Sequence, residues 1–134
     1  MTLGATLYLR NSVDAVNFYQ EAFGMTVGYN ARHADGSFLH AELEKDGKSI
    51  FAVSESMDAS IAKAMLNADL PTMSYGLEFE TVSEVEKAFA MLSEGGHVIR
   101  PLGPLPWSDC SADVVDQYGV YWYVTVPNHR PADG

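Results

Sequence analysis

The sequence predicts an α+β fold in which two βαβββ modules make up a single domain of 134 residues. Three observations carry this reading. A run of β-formers, an amphipathic helix and three further strand-like runs follow one another in the first half. The strand–helix theme returns after residue 72. The apolar positions of the two helices also align at one offset: Val13, Val16 and Phe23 fall on Val82, Val85 and Leu92, each 69 positions later. A repeat much longer than a solenoid unit points to duplication of a half-domain.

The first module, about residues 1–54, opens with Thr2–Arg10, a short apolar run rich in β-formers. Asn11 or Ser12 offers a cap, and Val13, Val16, Tyr19 and Phe23 follow at helical spacing until Gly24 stops the helix. Strand-like runs occupy Met25–His33, Ser37–Glu44 and Lys48–Ser54. Ala34-Asp35-Gly36 and Lys45-Asp46-Gly47 separate them, and Asp-Gly is a hairpin signal because primed turns need positive φ. A connector covers 55–72, where Asp58 could cap a short helix carrying Ile61, Met65 and Leu66, and Pro71 ends it.

The second module spans about 73–127. Met73–Glu80 reads as a strand, and Val82, Val85, Phe89 and Leu92 form a helix face that Gly95-Gly96 closes. His97–Arg100 starts another strand. Gly103-Pro104-Leu105-Pro106 reads as a loop, and Asp113–Asp116 with Val120–Val126 as a last hairpin around Tyr118-Gly119.

Composition narrows the function classes. Eight Lys plus Arg against 18 Asp plus Glu give a net charge of −10, which opposes binding to phosphate backbones, so no nucleic-acid partner is expected. Cys110 is the only cysteine, which excludes an intramolecular disulfide and zinc sites needing two or more cysteine ligands. The start lacks a basic stretch followed by a long apolar run, and nothing reaches about 18 consecutive apolar residues. A cytoplasmic protein without a membrane partner is the expectation.

Several pieces then carry a resemblance. They are Tyr8-Leu9, Ala15-Val16-Asn17-Phe18-Tyr19 with Phe23-Gly24, and His40-Ala41-Glu42-Leu43. Trp107, Val114-Val115-Asp116, Gly119 and Trp122 complete the set. In this order the chain resembles the glyoxalase/bleomycin-resistance superfamily, also called vicinal oxygen chelate proteins, and within it the PhnB-like branch. The resemblance implies two modules forming a curled mixed sheet around a cleft, and a homodimer. It also implies a range of functions, from metal-dependent lyases, isomerases and dioxygenases to metal-free proteins that sequester drugs. Fold alone does not choose among them.

The metal enzymes of the superfamily use His, Gln or Glu from four strands. Here Thr2–Arg10 contains none of these, and Lys48–Ser54 contains none, with Glu55 just beyond its end. In the second module the corresponding positions fall near Ser74 and on Tyr123. His33, His40, His97 and His129 are separated by 7, 57 and 32 positions, which gives no short ligand motif. The chain also lacks GxxxxGK[ST] and GxGxxG. Methyl transfer, sometimes invoked in names of this branch, lacks a glycine-rich strand-to-helix turn. The expectation is no metal and no cofactor.

Alternation along the strands nominates the candidates. His40 shares a face with Phe38 and Glu42 and could serve as a general base; the competing role is a half-buried histidine bonded to backbone. Glu78, on the side of Ser74 and Gly76, could be an acid or base if desolvated, or a solvated edge residue. Trp107 could stack on a ligand or pack at a subunit edge. Asp109 could bond a polar ligand group or shape a turn, while Tyr121 and Tyr123 share a face with Thr125 as ligand contacts or core. Cys110 has no local cation to activate it. The expected function is a metal-free, small-molecule binding protein with aromatic area from Trp107, Tyr121 and Tyr123 and polar orientation from His40 and Glu78. The alternative is an enzyme of the superfamily using a degenerate metal site or His40/Glu78 acid–base chemistry. The tail departs from the branch at Asp116-Gln117-Tyr118-Gly119, usually Asp-Pro-Phe-Gly, and the usual glycine is missing after Trp107.

Overall fold

A computed structural model describes residues 1–56 and 72–128. The expected connector helix with Asp58, Ile61, Met65, Leu66 and Pro71, and also His129, lies outside the described residues. The chain divides into two compact units, Met1–Asp69 and Leu70–Gly134.

In the first unit β1 (Thr6–Leu9) leads into α1 (Ser12–Phe23), followed by β2 (Thr26–Arg32), β3 (Phe38–Lys45) and β4 (Lys48–Glu55). The sheet order is β1-β4-β3-β2, with β1 parallel to β4 and the other pairs antiparallel. Helix α1 buries Ala15, Val16, Tyr19, Ala22 and Phe23. Tyr19 and Phe23 stack at 5.6 Å and meet Phe51 of β4 edge-on, so three rings lock helix to sheet.

The second unit repeats this topology. Its elements are β5 (Tyr75–Glu78), α2 (Val82–Ser93), β6 (His97–Leu105), β7 (Ser108–Val115) and β8 (Tyr121–Pro127), with sheet order β5-β8-β7-β6 and β5 parallel to β8. The α+β class and the repeated strand–helix order are therefore present. Val85, Ala88 and Leu92 are buried, but Val82, expected on the same apolar face, is 41% exposed because it is the first helical residue. Trp122 is fully buried and its Nε1–H donates to Asp116 Oδ2 at 2.8 Å. Asp116 Oδ1 accepts from the Tyr118 and Val120 amides, so one buried carboxylate holds both the turn and the tryptophan.

The two Asp-Gly breaks differ. Asp46 (φ 54°) and Gly47 (φ 78°) join the paired residues Lys45 and Lys48 in the left-handed geometry of a primed turn. The earlier break is a three-residue loop instead: His33 N–H donates to Ser37 O, and only Gly36 has positive φ. There the Asp35 carboxylate accepts from both the Ser37 amide and its hydroxyl. At the end of α2, a side chain on Gly96 would run into the carbonyl oxygens of Leu92 and Val115.

Strands β6 and β7 run longer than the sequence suggests. Gly103-Pro104-Leu105-Pro106 reads as a loop in the sequence, yet Gly103, Pro104 and Leu105 lie within β6, as does Pro101. Strand β6 is the sheet edge, where a missing N–H can face outward, and its pairing with β7 shifts register three times. Gly103 and Leu105 consequently belong to a strand, and the turn is confined to Pro106-Trp107.

Candidate functional site

The second unit's sheet packs one face against α2, and its other face carries polar side chains. Leu77, Ala112, Val114, Trp122 and Val124 are buried on the side where α2 lies against β7 and β8. Pleating sends their neighbours the other way. Gly76, Tyr123 and Asp113 form one register row across β5, β8 and β7, and Arg100 of β6 pairs with Asp113. Glu78, Thr125 and Ser111 form the next row.

Two polar groupings occupy this face. Arg100 Nε donates to Asp113 Oδ2 at 2.8 Å and its NH2 group to Ser111 Oγ at 2.9 Å, forming a half-buried ion pair. Beside it runs a chain of hydrogen bonds. Trp107 Nε1–H donates to Tyr123 Oη (2.9 Å), Tyr123 to Thr125 Oγ1 (3.3 Å) and Thr125 to Ser108 Oγ (2.7 Å). Ser108 donates to the Val126 carbonyl at 2.7 Å. Trp107 is 47% exposed, yet its indole is tied by this chain to a buried serine. An exposed aromatic held in one orientation is a ready stacking surface, since little freedom remains to be lost on contact.

The sequence-nominated residues divide accordingly. Trp107 and Tyr123 come together, and Tyr121 lies two residues from Tyr123 on the same half-buried side of β8. Glu78 is on this face but exposed, so the desolvation that acid–base duty required is missing. Asp109 is neither in a turn nor joined to the cluster. It is the extra residue where the β7–β8 register slips between Ser108 and Cys110, and it is exposed. Cys110 is buried, and burial, followed by the charge of Glu86, pushes its thiol up from 9.0.

In the first unit His40 Nε2 lies 3.1 Å from Glu42 Oε2, both side chains about one-third exposed. The Tyr29 ring sits 6.1 Å from the imidazole. His40 and Glu42 share a side of β3 as alternation predicts, but Phe38 does not follow. The β2–β3 register passes from Ala31–His40 to Arg32–Phe38, leaving Leu39 as an extra residue. Phe38 is consequently 3% exposed and Leu39 54% exposed, the reverse of strict alternation. The Arg32 guanidinium covers the Phe38 ring at 4.2 Å.

Sequence reasoning missed Ser108, Arg100 and Asp113. Ser108 follows Trp107 directly, but its role becomes visible only once β7 starts there instead of a loop. The Arg100–Asp113 pair depends on a register that two prolines obscure.

The donor set does not fit the metal of the superfamily's enzymes. Glu55, the one acid near the expected positions, uses both oxygens on helix α1: Oε2 accepts from the Asn11 amide (3.1 Å) and Oε1 from the Ser12 amide (2.9 Å). Tyr123 Oη is held by Trp107 and Thr125. Among the described residues no group of three His, Cys, Asp or Glu side chains is placed to share an ion. Nor, among them, is any helix long and apolar enough to cross a membrane.

Comparison with known proteins gives the same lineage. A search of curated proteins finds no match. Among solved structures the chain is similar to a putative 3-demethylubiquinone-9 3-methyltransferase, PhnB protein, from Bacillus cereus. The identity is 25% and the TM-score 0.72, over 94% of this chain and 99% of that one. It is similar to protein PA1353 from Pseudomonas aeruginosa at 26% identity and TM-score 0.68, covering 96% and 100% of the two chains. The fosfomycin resistance protein FosX from Mesorhizobium loti shares the fold alone, at 11% identity, TM-score 0.62 and coverage of 96% and 92%. The sequence profile of the Glyoxalase/Bleomycin resistance protein/Dioxygenase superfamily matches residues 5–124, and the chain belongs to that superfamily.

Proposed function

We propose that this protein is a PhnB-like member of the superfamily that binds a small molecule on the sheet face opposite α2, around Trp107, Tyr121 and Tyr123, without the family's metal. The observation that carries the reading is the indole of Trp107, exposed yet fixed by Tyr123. Stacking on a fixed ring favours a flat, partly aromatic ligand. Glu78, exposed on the same face, remains a candidate for orienting a polar group of the ligand, whereas His40 belongs to the first unit; assembly as a homodimer in the cytoplasm belongs to the same proposal.

Methyl transfer finds no support at the helix starts. The strand-to-helix turns at Arg10-Asn11 and Phe79-Glu80-Thr81 contain no glycine, and carboxylates of Glu55 and Glu84 already take amides at α1 and α2. An anionic cofactor group would meet negative charge there.

The test is a screen of small planar aromatics by the Trp107 Nε1–H signal in 1H–15N spectra. Saturable shifts are expected in the wild type, and Trp107→Ala should weaken affinity at least about tenfold. Binding that survives Trp107→Ala unchanged would remove the site. Metal analysis of untagged protein, with thermal unfolding in Ni, Zn, Mn and Fe(II), should show neither bound ion nor shift; one equivalent of tightly bound metal overturns the metal-free part.

A second reading is favoured by the His40–Glu42 pair, which has the geometry of a base with its orienting carboxylate. An enzyme working this way would lose roughly a hundredfold or more in turnover with His40→Ala, whereas a binder would change in affinity only.

A further inference from the structure

The hydroxyl chain has a direction, and the direction has a consequence for what can bind. Ser108 Oγ lies 2.7 Å from the Val126 carbonyl and 2.9 Å from the Cys110 carbonyl, and both oxygens only accept. The single Ser108 proton therefore goes to backbone. Its lone pairs receive the Cys110 amide at 3.2 Å and the Thr125 hydroxyl at 2.7 Å. Thr125 has then given its own proton to Ser108. Tyr123 has two neighbours: Trp107 Nε1, which only donates, and Thr125 Oγ1, which has a lone pair to offer. Within the protein the tyrosine proton has one acceptor, Thr125. What remains unused on Tyr123 Oη is a lone pair.

We propose that Tyr123 meets the ligand as a hydrogen-bond acceptor, with Thr125 as the positioning residue that enforces this, so that the ligand class is a planar aromatic bearing an N–H or O–H donor. The inference rests on the Trp107–Tyr123 face being the binding surface. Two carboxylates beside it add acceptors to that face. The carboxylate of Asp113 is an acceptor in the same register row and that of Glu78 in the next, while Arg100 spends two of its five N–H donors on Asp113 and Ser111. A ligand donor adds a bond without disturbing the chain. A ligand acceptor has to draw the Tyr123 proton away from Thr125 at 3.3 Å, the longest link, and gains only the difference.

Indole and benzofuran make the probe pair, nearly identical in shape, one with an N–H donor and one with a ring oxygen. Their dissociation constants are measured by NMR titration on the wild type, Thr125→Val and Tyr123→Phe, with the thermal midpoint of each variant confirming folding. Tyr123→Phe supplies the preference of the surface without a hydroxyl. The wild type should favour indole over that baseline by about three- to tenfold, the value of one net hydrogen bond. Thr125→Val, which frees the tyrosine proton to turn outward, should shift the ratio toward benzofuran by a similar factor. Equal ratios in the three proteins, with both probes bound, overturn the inference and leave the binding surface intact. If Thr125→Val fails to fold, an equal ratio in wild type and Tyr123→Phe overturns it alone. Absence of saturable binding of either probe to the wild type overturns the surface itself and the inference with it.

Discussion

The two units repeat one topology and begin their helices by opposite means. Helix α2 starts with a local capping box: Thr81 Oγ1 accepts from the Glu84 amide, and the Glu84 carboxylate accepts from the Thr81 amide, all within three residues. Helix α1 has no side-chain cap of its own. Asn11 sits in left-handed geometry, and the carboxylate that takes its amide and that of Ser12 is Glu55, at the far end of β4. Ser12, fully buried, is turned outward from its helix to receive the Phe38 amide at the start of β3. One unit places its helix by local chemistry and the other by tertiary contacts. The sheet faces away from the helices differ in the same spirit. The first unit carries a histidine–glutamate pair on β3, and the second carries an ordered chain that reaches from the surface to a buried backbone carbonyl.

The contrast is open to mutation. The largest effect belongs to Asp116→Ala in the second unit, which strands the Trp122 indole N–H and two turn amides in a buried place. About 3–5 kcal/mol should be lost in denaturant melts. A loss below about 1 kcal/mol would mean that the turn, not the carboxylate, holds the tryptophan. Next comes Glu55→Ala, expected to cost about 1–2 kcal/mol, since two amides and the favourable charge at the helix start go together. Thr81→Ala should cost about 1 kcal/mol, the ordinary value of a cap. If the second loss exceeds the first, the distant cap is the weaker device and the comparison reverses.

The smallest effect concerns pH. The side-chain and backbone hydrogen bonds from Ser37 hold the Asp35 carboxyl below its ordinary 3.8. A carboxyl lowered in the folded state adds stability above 3.8 that is lost as pH falls through the folded value. The stability difference between wild type and Asp35→Asn should therefore be present at pH 6 and shrink in acid below about 3.8; a difference that persists there would assign it to loop shape instead.

Much of this was legible in the chain itself. The helix faces, the offset of 69 between repeats and the primed turn at Asp46-Gly47 all rest on local chemistry, which sequence states directly. What escaped is what bulges and edges control. Leu39 and Asp109 are extra residues in their ladders, and each reverses or displaces the side chains that simple alternation would aim. The prolines of β6 read as a loop because sequence does not reveal which strand lies at an edge. Of the candidate site, Trp107, Tyr121 and Tyr123 were recognisable from residue type and alternation. Ser108 as the anchor of the hydroxyl chain was not, because its role depends on partners 17 and 18 positions away.

The distant cap on α1 also sets an order of events. Helix α1 is made early by the ribosome, but Glu55 arrives 43 and 44 residues after the amides it serves. Until β4 has paired, the helix start has only water, so α1 should gain its full definition late, together with its sheet. Helix α2 carries its own cap from the moment Glu84 is made. In this chain the element synthesised first waits for its completion, while its later counterpart can nucleate as soon as it appears.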